Sequence, residues 1–380
     1  MIATLQAWLD SPDVAIIGTG LLVGVAAALL GPFLVLRRNA MLSDAISHSI
    51  VFGIVVVWLF TGLASGPVQI AGAALAGVLT VWLTEALART GRVKDDAAIG
   101  LVFPFLFSVG VLLLNLYARN VHIDTHTVLL GEIGFVWLET VAVGPVQVPK
   151  AMLWMGAVTV ANALFIGLLW KELKLATFDP MLAEAFGFRP RTLFYALLAL
   201  LSATAVAAFD AVGAVLFIAF AIVPPATAYL LTDRLAGMIW IGIAVAVLSA
   251  FAGYGAAIAL DVSIGGMMAV TTGVCLAGAV FFGPRYGLIA GLGRRIRAAR
   301  ENEIRALVVH LSTHEDSEDR AEENVAGALR THLGWPEARA RDTLARAVAE
   351  GVVLREGRAL HLTEKGRTAA RALLEPWARA

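Results

Sequence analysis

The sequence predicts an all-α polytopic membrane protein of eight or nine transmembrane helices, followed by a small soluble α+β domain at the C-terminus. Apolar residues make up 59% of the 380 and charged residues only 15%, against about 45–50% and about 25% in soluble globular domains. The mean hydropathy is +0.80. The charges are also uneven: residues 1–300 hold 17 Lys and Arg with 15 Asp and Glu, whereas residues 301–380 hold 12 and 14. A membrane domain over 1–290 and a soluble domain over 301–380 follow from that split.

Runs of about 20 apolar residues are long enough to cross the ~30 Å hydrocarbon core as helices. Nine such runs occur, near 13–36, 41–62, 67–88, 97–117, 151–170, 192–209, 211–231, 235–258 and 263–283. Two pairs, 192–209 with 211–231 and 235–258 with 263–283, abut closely enough to leave eight as an alternative. Lys and Arg in short loops set orientation. With nine spans, Arg89, Arg92 and Lys94 fall on one side together with Lys171, Lys174, Arg189, Arg191, Arg234, Arg285 and the group from Arg294 to Arg300. That side is the cytoplasm, which also receives the C-terminus. The N-terminus and segment 118–149, with His122, Asp124, His126, Glu132 and Glu139, are then extracytoplasmic. No signal-peptide pattern is expected. The single cysteine, Cys275, gives neither a disulfide framework nor a thiolate metal cluster, and a net charge of zero says nothing about partners.

The most informative stretch runs from Gly31-Pro32 through Arg37-Arg38 to Asp44 and His48. Gly-Pro and two arginines are expected to interrupt a helix, and a new apolar helix then begins with an acid and a histidine in it. Broken membrane helices beside polar groups mark substrate sites in transporters. Asp44 and His48 are four apart and project from one helix face. A carboxylate oxygen with an imidazole nitrogen suits manganese, iron or zinc rather than copper(I) or magnesium. The alternative is an Asp44 that caps its helix while His48 hydrogen-bonds to it. Inside a bilayer, a charge costs at least ~2.5–3.5 kcal/mol at mid-depth and is functional by default. Two ligands are too few for a closed site, and the counterpart helix of a second membrane subunit would bring two more. Arg37 and Arg38 are read as cytoplasmic anchors.

A second stretch, residues 175–191, places Asp179 to cap, Pro180 at the first helical position and Gly187 at the end. This describes a helix of about two turns on the cytoplasmic side. The residues alone leave open a surface connector or a coupling helix that docks on a nucleotide-binding subunit.

Four stretches together resemble the permease family of the manganese, zinc and iron ABC importers. They are Leu36 to His48, Phe178-Asp179-Pro180 with Ala183 to Gly187, Val212 to Leu216 continuing through Pro224-Pro225 to Ala228, and Leu129-Leu130-Gly131-Glu132-Ile133. The resemblance covers roughly residues 13–285. It implies a dimer of identical or paralogous permeases, two cytoplasmic ATP-binding subunits and an extracytoplasmic metal-binding protein. It also implies Asp44 and His48 as metal ligands in the translocation path, and Asp179, Glu184 and Gly187 in the coupling helix. The implied cargo is a divalent metal, manganese foremost with zinc and iron fitting the same ligands, and no cofactor is tightly bound. Two departures stand out: Ser43 where the family favours Gly, and Val51-Phe52-Gly53 where Pro often follows the His. No Gly-rich phosphate loop is present, so the chain is expected to be a transport subunit rather than an enzyme.

Past Arg300, Ile304, Leu307, Val308 and Leu311 line a helix face. Helices are expected over 322–332 and 336–349, then a hairpin over 352–362 and a last helix after Thr363-Glu364-Lys365-Gly366. That order resembles a winged-helix domain, similar to the DNA-binding half of metal-dependent repressors. With 12 basic against 14 acidic residues, it lacks the positive footprint of a DNA reader, so protein contact or regulation is expected. His310, His314 and His361 are read as scattered surface or core residues. The rival function is a membrane-tethered transcription regulator or metal sensor, for which one anchoring span would suffice. An intramembrane metallo-enzyme lacks any His-Glu-x-x-His pattern.

Overall fold

A computed structural model describes residue 6 and residues 10–37, 39, 41–62, 67–117 and 133–374. Two compact units divide the chain, Met1–Gly287 and Leu288–Ala380.

The first unit contains α1 (Pro12–Leu36), α2 (Met41–Thr61), α3 (Pro67–Ala88), α4 (Asp95–Tyr117) and a short hairpin of β1 (Thr140–Val143) with β2 (Val146–Pro149). It continues through α5 (Lys150–Leu168), α6 (Trp170–Phe178), α7 (Pro180–Ala185), α8 (Pro190–Leu231), α9 (Leu235–Leu260) and α10 (Ile264–Phe282). Among the described residues, eight helical stretches are long and apolar enough to cross a membrane. The ninth expected run is α3, a helix of 22 residues whose apolar stretch among the described residues is only Ala74–Ala88. The first unit is that of a multi-pass membrane protein.

Two of the eight stretches belong to α8, which is broken at Gly213 (φ 77°, ψ 169°). Its halves run in opposite directions, as their neighbours on α1 show. In the first half, Phe194 lies under Arg37 and Thr204 meets Asn162, which also bonds Ala26 O. In the second half, Phe220 faces Gly24 and Pro225 faces Gly31. The turn brings the Phe209 and Phe217 rings to 5.9 Å, where a straight helix would rise about 12 Å over the same residues.

Helix directions alternate, so residues 37, 39, 89–94, 169–189, 232–234 and 283–287 gather at one end. Tyr195 donating to Glu85 Oε2 (3.0 Å) joins the end of α3 to the start of α8 there. At the opposite end, Tyr254 donates to Asp13. Buried Ala and Gly on α1 let it sit at the centre of the unit. Several buried hydroxyls bond to carbonyls of their own helix, as Thr19 does to Ala15 O (2.7 Å), and others bond between helices, as with Thr80 to Ser49 (2.7 Å), because a lone polar group in an apolar layer costs several kcal/mol.

One expectation is corrected here. α1 does not stop at Gly31-Pro32; Pro32 lies inside the helix, which runs to Leu36. Both residues are buried, with Gly31 packed against Ala221 and Pro225, and this packing holds the helix through the proline.

The second unit contains α11 (Leu288–Thr313), α12 (Arg320–Glu323), α13 (Ala328–His332), α14 (Glu337–Ala349), an antiparallel hairpin of β3 (Val353–Glu356) and β4 (Ala359–Leu362), and α15 (Glu364–Leu374). Ile304, Leu307, Val308 and Leu311 pack with Leu329, Trp335, Leu344 and Leu360 in a separate core. Glu303 binds α11 to α14, accepting from Arg339 (2.7 Å), Thr343 (3.0 Å) and Arg346 (2.7 Å). Burial pushes its carboxyl up, but the bonds from Arg346, Thr343 and Arg339 outweigh this and hold it below its ordinary value. The expected helix 322–332 is two short pieces instead. Between them, Val325 bridges Ala359, and Asn324 O accepts from Leu360 N, so pairing with β4 forces that backbone to extend.

Candidate metal site and its surroundings

α1 ends at Leu36 and α2 begins at Met41. Arg37 ends α1, its guanidinium donating to Ala176 O (2.8 Å) and lying 4.5 Å over the Phe194 ring. Arg37, expected only to anchor, thus ties the break to α6 and α8. α2 starts at Met41, so Asp44 sits three residues inside the helix rather than capping it. Its charge in the first turn is favoured by the helix dipole.

Asp44 Oδ1 lies 3.4 Å from His48 Nε2, and the two side chains are 35% and 33% exposed. The His48 ring stacks on Phe103 (5.6 Å, 25°) and meets the edge of Phe107 (6.2 Å, 80°), both from α4. Ile46, between them, is at the level of Gly77 and Ser202. Ser202 is eight residues along α8 from Phe194, so the pair lies about 12 Å inside the Arg37 end. Among the described residues, no third His, Cys, Asp or Glu joins it. The arrangement is a carboxylate and an imidazole, held from one side by aromatic rings and open on the other.

The second expected stretch forms α7. Asp179 Oδ1 accepts from Leu182 N (2.9 Å), Pro180 is the first helical residue, and Gly187 closes the helix with φ +82°. Gly187 N donates to Glu184 O and Phe188 N to Ala183 O, which is the Schellman arrangement. Ala183 is buried, while Phe178, Leu182, Phe186 and above all Met181 (83%) are exposed. An apolar knob flanked by Lys171, Lys174, Arg189 and Arg191 therefore projects at the Arg37 end. Glu184 is exposed on it.

Residues 118–132, with His122, Asp124, His126, Glu132 and the Leu129-to-Glu132 stretch, lie outside the described residues. Glu139 pairs with Lys150 (2.9 Å).

In the second unit the histidines are not all scattered. His310 and His314 on α11 come together with Glu323 on α12, their ligand atoms all within 4.8 Å of one another. The α13 residue His332 joins from behind, Nδ1 2.9 Å from Glu323 Oε2. Burial pushes the His310 imidazole below its ordinary value, despite the Glu323 carbonyl 3.4 Å away. The His310-x-x-x-His314 spacing was a signal for this cluster; the arrival of Glu323 and His332 was not readable. His361 stands apart, beside Arg320 (3.2 Å).

Residues 14–283 match the family model described as ABC 3 transport family. The zinc transport system membrane protein TroD of Treponema pallidum is 42% identical, over 93% of this chain and 96% of its own. The manganese transport system membrane protein MntD of Bacillus subtilis is 48% identical, over 75% of this chain and 97% of its own. Among solved structures, PsaBC from Streptococcus pneumoniae in complex with Fab has a chain at TM-score 0.62 and 26% identity, covering 75% of this chain and 98% of that one. Nothing among these matches supports a transcription regulator. The TroD match, over 357 residues, is long enough to reach into both units, whereas the MntD match extends over 287 residues. With its membrane unit matched nearly end to end, the chain belongs to the ABC 3 transport family.

Proposed function

We propose that this chain is the permease subunit of an ABC importer that moves a divalent transition metal into the cytoplasm, manganese foremost, with zinc and iron fitting the same ligands. The observation that carries the reading is the Asp44–His48 pair, 3.4 Å apart inside a membrane unit of the family. A carboxylate with one imidazole partner leaves ligand capacity unused, and the pair is open on one side. A second permease, identical or paralogous, would face it there with its own acid and imidazole. One carboxylate from each copy balances a divalent charge, and oxygen with nitrogen donors suits these metals.

The other parts follow the same logic. The Arg37 end, rich in Lys and Arg, is the cytoplasmic one, so α7 and the C-terminal residues 286–380 face the cytoplasm of an inner-membrane protein. The exposed knob of α7, with Asp179, Glu184 and Gly187, docks on one of two ATP-binding subunits, where the hydrolysis takes place. An extracytoplasmic metal-binding protein delivers the ion to the opposite face. Residues 1–290 act as the permease domain. Residues 301–380 form a domain of winged-helix-like order that works by protein contact or regulation rather than on DNA.

The test is ATP-driven uptake of Mn2+, Zn2+ and Fe2+ into vesicles carrying the chain with its ATP-binding subunit and partner permease. Uptake with Mn2+ preferred is expected; no ATP-dependent uptake of any of the three contradicts the proposal.

A further inference from the structure

The cluster in the second unit has the make-up of a metal site of its own. His310 and His314 are one turn apart on α11, with rings 4.9 Å centroid to centroid, and the His332 ring is 6.0 Å from that of His310. His310 is buried and His314 and Glu323 are half-buried. We propose that His310, His314 and Glu323 bind a divalent first-row transition metal, with His332 orienting the Glu323 carboxylate.

Two imidazole nitrogens and a carboxylate oxygen are the donor set of zinc, iron(II), manganese and cobalt(II) sites that keep a position for water; an all-oxygen site would point to calcium or magnesium instead. Ligands held at ~2.1 Å around a tetrahedral ion stand about 3.4 Å apart. Ligand atoms no more than 4.8 Å apart therefore close on the ion by side-chain movements of about 1 Å. The supporting shell is in place as well. His332 Nδ1 lies 2.9 Å from Glu323 Oε2, a charge contact without hydrogen-bond geometry that leaves this buried oxygen with no hydrogen-bond partner among the described residues, and Glu323 O lies 3.4 Å from His310 Nε2, the kind of carbonyl contact that fixes the tautomer of a metal-binding imidazole. Next in the chain, Asn324 is 4% exposed. Its Nδ2 donates to Leu311 O (3.2 Å), but its buried Oδ1 has no donor among the described residues. Such an oxygen is usually met by a water or an ion. The bound metal links α11 and α12 directly and α13 through His332. On the function proposed above, the natural ion is the cargo itself after delivery; the site stands on these residues whether or not that reading holds.

The test uses the purified full chain with both membrane-pair residues replaced (Asp44→Asn with His48→Ala), titrated with Co2+ and read by visible d–d absorption. One saturating equivalent is expected. Adding Glu323→Gln, which keeps the shape of the side chain, or His314→Ala, at a half-exposed position, should each weaken Co2+ binding at least about tenfold. Absence of a Co2+ signal in the starting protein, or a signal unmoved by both additions, overturns the proposal. Failure of the transport reading would appear instead as absence of ATP-dependent uptake by the unaltered chain, which this titration does not read.

Discussion

Asp44 in the membrane unit and Glu303 in the second unit are both carboxylates on helices, yet they are served very differently. Glu303 accepts bonds from three side chains, two of them arginines, and the result is a closed joint between α11 and α14. Asp44 has one imidazole at 3.4 Å and remains a third exposed. The first arrangement neutralises its charge internally and is spent on stability. The second leaves carboxylate ligand capacity unused inside the membrane unit, where a charge is costly, and the proposal of a cation from outside the chain rests on that difference.

Predictions that would break or sharpen this contrast fall in order of size. Replacing His48 with Ala should cut metal uptake roughly 100-fold, the upper end of what even outer partners of a metal site cost, at unchanged assembly. Uptake near the wild-type rate would put Asp44 and Glu303 in the same structural class. Next in size is Gly187. It adopts φ +82° with open space around it, so Val there meets no clash but strains the backbone by about 1–2 kcal/mol. Val is expected to uncouple ATP hydrolysis from uptake, while Asn, which tolerates this conformation, should retain most coupling. If Val transports normally, α7 is only a connector.

Smaller still is Glu303→Gln. It should lower the stability of the second unit by ~1.5–3 kcal/mol, the range for bonds to charged groups, discounted where Arg339 is exposed, and leave uptake unchanged. Its acid response has a definite sign. The folded carboxyl is held below 4.5, so its contribution is fully present above that pH and is lost as pH falls through the folded value. The Gln variant should therefore show a shallower acid loss of stability in thermal melts, and an equal slope would refute the assignment.

Local patterns made most of the membrane unit legible. Apolar runs located its helices to within a few residues, and the four-residue spacing brought Asp44 and His48 onto one face. Nonlocal packing accounts for the rest. Pro32 reads as a helix breaker, but α8 packs against the preceding Gly31 and holds α1 continuous. Val325 reads as helical, but Ala359 on β4 claims it. The wall of Phe103 and Phe107 behind His48 comes from another helix, and Glu323 and His332 reach His310 from separate elements. In each case the deciding partner is far away in the chain, where periodicity carries no information.

The most direct test of the central contrast is metal uptake by Asp44→Asn at normal assembly of the transporter. Asn keeps the size and much of the hydrogen bonding of Asp, but it carries no charge. A carboxylate that holds a divalent cation in transit cannot be replaced in this way, and the account predicts loss of uptake with the membrane unit intact. Uptake close to that of the unaltered chain would contradict it.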